Sequence, residues 1–220
     1  MTGDWFLNIA LSTTLVPPVC GLIRLRKLQA DMRLFFYFFT LTLLVESANV
    51  YLAKMHHNNL WLINLINLCE GIFMMLVFLQ WSHSKTFRKT CIVLTCVYVA
   101  VWLGTTLPHG NFLDYNVIEK TLKGLLVTFG CLYLIASIGL RSTEALFNDY
   151  RIWMLATTLI YFSTTLIIYA TANLLLPNKE YFRSYSYIYY LSIGIVTNLM
   201  WGWGFLWYFR TRNSQTNLAR

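Results

Sequence analysis

The feature that most constrains this chain is a series of seven apolar runs, each long enough to cross a lipid bilayer. The hydrocarbon core of a bilayer is about 30 Å thick, so a helix needs about 20 mainly apolar residues to cross it. The breaks between the runs are too short to hold a water-soluble domain. The runs cover residues 5–23, 33–53, 60–81, 90–107, 117–140, 152–176 and 187–209.

Composition agrees with this interpretation, because 57% of the residues are hydrophobic and only 12% are charged, which is too apolar for a soluble domain of this length. We therefore predict an all-α polytopic membrane protein. Residues 1–220 are expected to form one domain, a bundle of seven transmembrane helices. Within the first run, Pro17 and Pro18 remove two backbone donors, so a kink is expected near Thr13 and Thr14.

The basic residues predict the orientation, because cytoplasmic loops of membrane proteins retain Lys and Arg. Of the 17 basic residues, five lie on one side of the predicted membrane: Lys54, Lys120, Lys123, Lys179 and Arg183. The other twelve lie on the side that follows the first run. We predict an outside N-terminus and a cytoplasmic C-terminus, and we expect the net charge of +8 to attract anionic lipid headgroups at the cytoplasmic face. A nucleic-acid partner is not expected, because binding of nucleic acid needs a contiguous basic face outside the membrane.

Polar residues interrupt the second and third runs at similar depths. Glu46 and Asn49 share one face of the second run. Glu46 lies about 12 Å from the outer end of that run. The third run carries Asn64, Asn67 and Glu70 at about 7, 12 and 16 Å below the same surface. Adjacent antiparallel helices joined by a short loop usually pack together, so these two faces are expected to meet.

The fifth run offers a counter-charge, because Lys123 would lie about 10 Å into its helix. Ionisable residues at such depth are disfavoured unless they are paired, hydrated or neutralised, and they are functional candidates by default. Our hypothesis is a polar cluster in the outer half of the second, third and fifth helices, which comprises Glu46, Asn49, Asn64, Asn67, Glu70 and Lys123. Two alternatives stay open: Lys123 extends to the outer interface, and the glutamates only hold helices together.

The four histidines lie in predicted loops, and no metal-binding motif of the H-E-x-x-H or C-x-x-C kind is present. We therefore expect no metal site and no cofactor. His56 and His57 lie beside the predicted cluster, and a pH-sensing role for them is a hypothesis based on the titration range of histidine. The last run contains no lysine, which argues against a retinal protein of the microbial rhodopsin kind.

The first three runs together carry one pattern of residues. It consists of Leu15-x-Pro17-Pro18-x-x-Gly21-x-x-Arg24-x-x-x-Leu28, then Glu46, then Asn58-Asn59-x-Trp61-Leu62 with Asn67 and Glu70. This pattern resembles a group of small bacterial seven-helix integral membrane proteins of unknown function. The resemblance implies a location in the bacterial cytoplasmic (inner) membrane, and it implies no chemistry.

Three classes of function stay open. The first, favoured here, is a sensor or accessory subunit that binds a small ligand, or docks a partner membrane protein, through the polar cluster. The second is a small proton-coupled transporter or an oligomeric channel that uses Glu46 and Glu70, although no internal repeat supports a transporter. The third is an intramembrane lipid enzyme, and it is disfavoured because no nucleophile–base pair is recognisable. A role as an enzyme is therefore not expected, and homo-oligomerisation is left open.

Overall fold

A computed structural model of the chain describes residues 3–55, 57–106, 117–140, 148–175 and 179–218. The regular structure within these ranges is helical. A short 3-10 helix, Leu25–Lys27, links the second and third of eight α-helices, which are α1 (Gly3–Thr13), α2 (Val16–Leu22), α3 (Ala30–Lys54), α4 (Leu60–Trp81), α5 (Lys85–Thr106), α6 (Val117–Gly139), α7 (Tyr150–Leu175) and α8 (Lys179–Leu218). Since α1 and α2 are two halves of one interrupted segment, the helices form seven segments that correspond in order to the seven apolar runs.

Six of these segments are long and apolar enough to cross a membrane. They are Trp5–Leu22, Ala30–Lys54, Leu60–Trp81, Lys85–Thr106, Val117–Gly139 and Tyr150–Ile168. The all-helical fold class and the multi-pass membrane character predicted from the sequence are thus confirmed.

The last helical segment is longer than the apolar run that predicts it. The run at 187–209 lies within α8, which is 40 residues long and does not belong to the six spans above. A helix of that length measures about 60 Å, twice the thickness of the hydrocarbon core.

The first segment is interrupted where its two prolines predict. Helix α1 ends at Thr13 and α2 begins at Val16, with Pro17 and Pro18 in the first turn of α2. Proline is tolerated in a first turn because the backbone N–H there has no partner inside the helix. The hydroxyls of Thr13 and Thr14 donate hydrogen bonds of 2.7 Å to the carbonyls of Ala10 and Leu11. The kink predicted at this position is present.

The helices pack as a closed bundle in which α4 has a central place. Helix α4 packs against α3, α5 and α6, and α7 packs against α6 and α8. The last helix, α8, also contacts α1 and α2, so the first and last helices of the chain are neighbours. The expected pairing of the second and third spans is therefore present as the α3–α4 contact.

The end of the bundle near Lys27 and Lys85, here called the basic end, is filled with aromatic side chains. The rings of Phe35 and Trp81 stack with centroids 5.5 Å apart, and Phe38 stacks on Phe73 at 4.1 Å. Offset aromatic pairs of this kind add to the stabilisation that comes from burying their area.

Asp31 ties three helices together at this end, and nothing in the sequence singled it out. One of its carboxylate oxygens accepts hydrogen bonds from Trp81 Nε1, at 2.8 Å, and from the Tyr150 hydroxyl, at 2.6 Å. Its other oxygen accepts the backbone N–H of Met32 at 2.8 Å, in the first turn of α3, where the helix dipole favours negative charge. Helices α3, α4 and α7 are thus joined by one side chain.

We predict that Asp31→Ala lowers the free energy of unfolding by about 2–3 kcal/mol, because two donors in a partly buried site lose a charged acceptor. Thermal unfolding in mild detergent, followed by tryptophan fluorescence, would show this as a lower melting temperature. Asp31→Asn, which keeps one acceptor oxygen, should lose less. Equal melting temperatures for wild type and Asp31→Ala would contradict this role.

Candidate functional site

Lys123 forms a buried ion pair between α6 and α4. Its Nζ lies 2.5 Å from Glu70 Oε2 and donates a hydrogen bond of 2.6 Å to Asn67 Oδ1. The lysine is only 3% exposed, and its Nζ also lies 5.8 Å from the centroid of the Phe162 ring, within the range of a cation–π contact. The structure thus places Lys123 against a glutamate, and not at the interface with water.

The ion pair is part of a polar network that extends to α5. The Tyr98 hydroxyl donates to the Asn67 carbonyl at 3.0 Å and forms a short hydrogen bond with Glu119 Oε1. Gly71 makes room for this tyrosine, since a Cβ at that position would lie 2.4 Å from Tyr98 Cε1. We call Asn67, Glu70, Tyr98, Glu119 and Lys123 the buried network. It links α4, α5 and α6 through side chains that are buried, except that Glu70 is partly exposed.

A partly open cavity of about 220 Å³ lies between α1, α3, α7 and α8, and Glu70 of α4 contributes to its wall. Its lining on α3 runs from Phe38 to Val50, so it occupies the middle of the bundle and the half that leads to Lys54. Most of its wall is aliphatic or aromatic. The polar side chains in the wall include Thr14, Thr42, Glu46, Glu70, Thr197 and Asn198.

Glu46 is the ionisable group of this cavity that lacks a partner. Thr42 and Glu46 are four residues apart and therefore share the face of α3 that lines the cavity. Glu70 lines the same cavity but is paired with Lys123. Among the described residues, the Glu46 carboxyl group forms no hydrogen bond and no ion pair. A carboxyl group that faces a partly open cavity without a protein partner can bind a donor group of a ligand.

The six residues predicted to form one polar cluster are separated into three groups. Asn67, Glu70 and Lys123 are in direct contact, and Glu46 faces the cavity that Glu70 also lines. Asn49 and Asn64 are buried, but no contact between described residues joins their side chains to Lys123 or to either glutamate. Their backbone carbonyls accept hydrogen bonds from Asn59 Nδ2, at 3.4 Å, and from Trp102 Nε1, at 3.3 Å.

Only one of the two histidines proposed as pH sensors lies within the described residues. His56 lies outside the described residues, and His57 is exposed, with its backbone N–H donating to the carbonyl of Leu52 at 3.0 Å. The pH-sensing role stays a prediction. Within the described ranges, no group of three or more His, Cys, Asp or Glu side chains is arranged to hold a metal ion.

Sequence reasoning missed the walls of the cavity and the tyrosine of the buried network. Tyr98 is one aromatic residue in an apolar run, and only Gly71 on the facing helix indicates that a ring packs there. The contributions of Tyr161 and Trp201 depend on α7 and α8 packing near α1. Contacts between helices so far apart in the chain leave no periodic signal in the sequence.

Comparison with known proteins adds no further identification, because no family model, no curated protein and no solved structure matches the chain.

We predict that Lys123 and Glu70 are energetically coupled. Lys123→Glu alone, or Glu70→Lys alone, leaves two like charges buried together, and breaking a buried pair costs about 3–5 kcal/mol. The double variant restores the pair in reversed order and should recover most of the lost melting temperature.

A suitable control is Lys54→Ala, which removes an exposed lysine at the end of α3 and should leave the melting temperature almost unchanged. Additive losses in the double variant would show that the two side chains do not stabilise each other.

Proposed function

We propose that this chain is a small-ligand-binding protein of the bacterial cytoplasmic membrane, with seven spans, and that the ligand occupies the cavity lined by Glu46. The observation that carries the proposal is the position of Glu46, which faces a partly open cavity and has no partner among the described residues. Ionisable groups in membrane segments are disfavoured by several kcal/mol unless they are paired, hydrated or neutralised. A bound ligand would provide that compensation.

Ligand binding is better supported than docking of a partner through the predicted cluster. Glu70, Asn67 and Lys123 satisfy one another within the buried network, so they present no unsatisfied polar surface to a second membrane protein. Asn64, Asn67 and Lys123 are buried inside the bundle. A role as sensor or accessory subunit is compatible with ligand binding if a partner or a second copy of the chain transmits the bound state.

The proposed topology has α8 as the seventh span, the N-terminus outside and the C-terminus in the cytoplasm. The exposed Arg24, Arg26, Lys85, Arg88 and Lys89 lie at the basic end, which supports a cytoplasmic location for that end and contact with anionic lipid headgroups.

This topology predicts the behaviour of reporter fusions in bacterial cells. A green fluorescent protein fused to the C-terminus should fluoresce, whereas alkaline phosphatase fused there should be inactive and should be active when fused after Lys54. The reverse pattern would invert the proposed orientation.

Cavity filling tests the ligand proposal directly. A Cβ added at Gly194 would meet no atom within 4 Å, and Gly194 lines the cavity, so Gly194→Leu should occupy the space without disturbing the helices. Native mass spectrometry of gently solubilised protein should show a small molecule on wild type and none on this variant.

Gly104→Leu is the matched control. Gly104 is exposed on α5 and also has open space around its Cα, so the same substitution there should leave the bound molecule in place. The absence of any mass beyond that of the polypeptide in all three proteins would contradict ligand binding. A second polypeptide retained by all three would instead support the docking role.

A second candidate, a proton-coupled transporter or an oligomeric channel, is supported by one observation, that Glu46 and Glu70 line the same cavity. Transport requires the cavity to open to both sides in turn. In this structure the aromatic packing and the hydrogen bonds of Asp31 close the basic end. Binding is therefore the function that the described geometry supports better.

A further inference from the structure

The charges around the cavity specify the sign of a ligand. Glu70 contributes to the wall, but its charge is balanced by Lys123 at 2.5 Å. Lys123 itself is already bonded to Asn67 and Glu70 and lies near the ring of Phe162, so it is not available to an anionic ligand. The carboxyl group of Glu46 remains without a counter-charge in the described part of the chain.

Two threonine hydroxyls in the wall are left as hydrogen-bond acceptors, whereas the Thr42 hydroxyl has no partner in the described part of the chain and can donate or accept. The hydroxyl protons of Thr14 and Thr197 are donated to the helix carbonyls of Leu11, at 2.7 Å, and Ile193, at 2.8 Å. The Asn198 amide donates to Thr13 Oγ1 at 3.4 Å. Because a threonine hydroxyl has one proton and two lone pairs, the committed hydroxyls can only accept a bond from a ligand. An ammonium group has three donors and no acceptor, so it can bond to these acceptors, to the Thr42 oxygen and to Glu46.

Aromatic rings form the apolar part of the wall. Phe38 and Phe39 come from α3, Tyr161 from α7, and Tyr190 and Trp201 from α8. The faces of aromatic rings attract cations, and the attraction is stronger in a desolvated site. Rings from three helices, together with the Glu46 carboxyl group that has no partner among the described residues, form a setting that suits an organic cation with an apolar body.

The size of the cavity limits that body. Its volume of about 220 Å³ is below the range of about 300–1,000 Å³ that is usual for drug-sized ligands. A compact molecule, such as one aromatic ring or a short alkyl chain that carries an ammonium group, is the appropriate class.

We propose that the cavity binds a compact organic ammonium ion, with its nitrogen at Glu46 and its apolar body against the aromatic wall. This inference rests on the proposed ligand-binding function and specifies the charge of the ligand. Glu46 is the selectivity residue, because its carboxyl group favours binding of a cation over a neutral molecule of equal shape.

Three probes with the same phenyl body and different head groups test the inference: 2-phenylethylammonium, 2-phenylethanol and phenylacetate. Binding to the full-length protein in detergent at pH 7 is measured by isothermal titration calorimetry. The ammonium should bind about tenfold or more tightly than the alcohol, and phenylacetate should bind more weakly than either. Glu46→Gln should reduce the affinity for the ammonium to that for the alcohol, with the affinity for the alcohol unchanged.

Asp149→Asn is the matched control, since it makes the same change from carboxylate to amide at the start of α7, where Asp149 pairs with Arg151; it should keep the preference for the ammonium. Glu46→Asp, which retains the carboxyl group, should keep part of it. Gly194→Leu reports uptake of probe by the detergent, because its cavity is filled.

Each outcome has a distinct meaning. Equal affinity of wild type for ammonium and alcohol, with both lost in Gly194→Leu, would overturn the cation inference and leave the ligand-binding function standing. A preference for phenylacetate would overturn it in the same way. No difference between wild type and Gly194→Leu for any of the three probes would overturn the inference, and failure of the adduct test on the same two proteins would then remove the ligand-binding function as well.

Discussion

The ion pair between Lys123 and Glu70 is the interaction on which the polar interior of this protein depends. In a bilayer, a charge that cannot reach water must be balanced inside the protein or neutralised. Lys123 balances Glu70 and is held by Asn67 at the same time, so α6 is fixed against α4. Because this lysine is committed, Glu46 is left as the carboxyl group of the cavity that has no protein partner in the described part of the chain. The position of one lysine thus determines which of two glutamates is structural and which is available.

The two halves of the bundle have different physical characters. At the basic end, stacked aromatic rings and the hydrogen bonds of Asp31 join α3, α4 and α7. Toward the Lys54 end, α1, α3, α7 and α8 leave a cavity between them. A well-packed base keeps the helices in register, which allows the opposite half to keep a preformed site. Preformed sites bind ligands without the cost of ordering their own side chains.

The sequence predicted the membrane segments well, because the length and apolarity of a spanning helix are imposed by the bilayer. The third predicted run has the same bounds as α4, Leu60–Trp81. Depth arithmetic put Lys123 nearest to the level of Glu46, whereas the structure pairs it with Glu70, so depth alone did not select the partner. Depth along a helix is readable from residue number at a fixed rise per residue.

The sequence did not predict how each helix is rotated about its axis or which distant segments are in contact. Asn49 and Asn64 lie on the same two helices as the glutamates, yet their side chains do not join them in the described contacts. Asp31 and Tyr98 take up their roles only because α7 and α4, respectively, supply partners from elsewhere in the chain. The cavity wall likewise combines α1 with α8, from opposite ends of the sequence, and no alternation or spacing within one run predicts such a meeting.

The most direct test of the central claim is an experimental structure of the wild-type protein in lipid nanodiscs, at a resolution that shows bound small molecules. The account predicts non-protein density in the cavity between α1, α3, α7 and α8, in contact with the Glu46 carboxyl group, and its loss in a Glu46→Gln structure. A cavity closed by packed side chains, or a Glu46 side chain bonded to a protein cation, would contradict it.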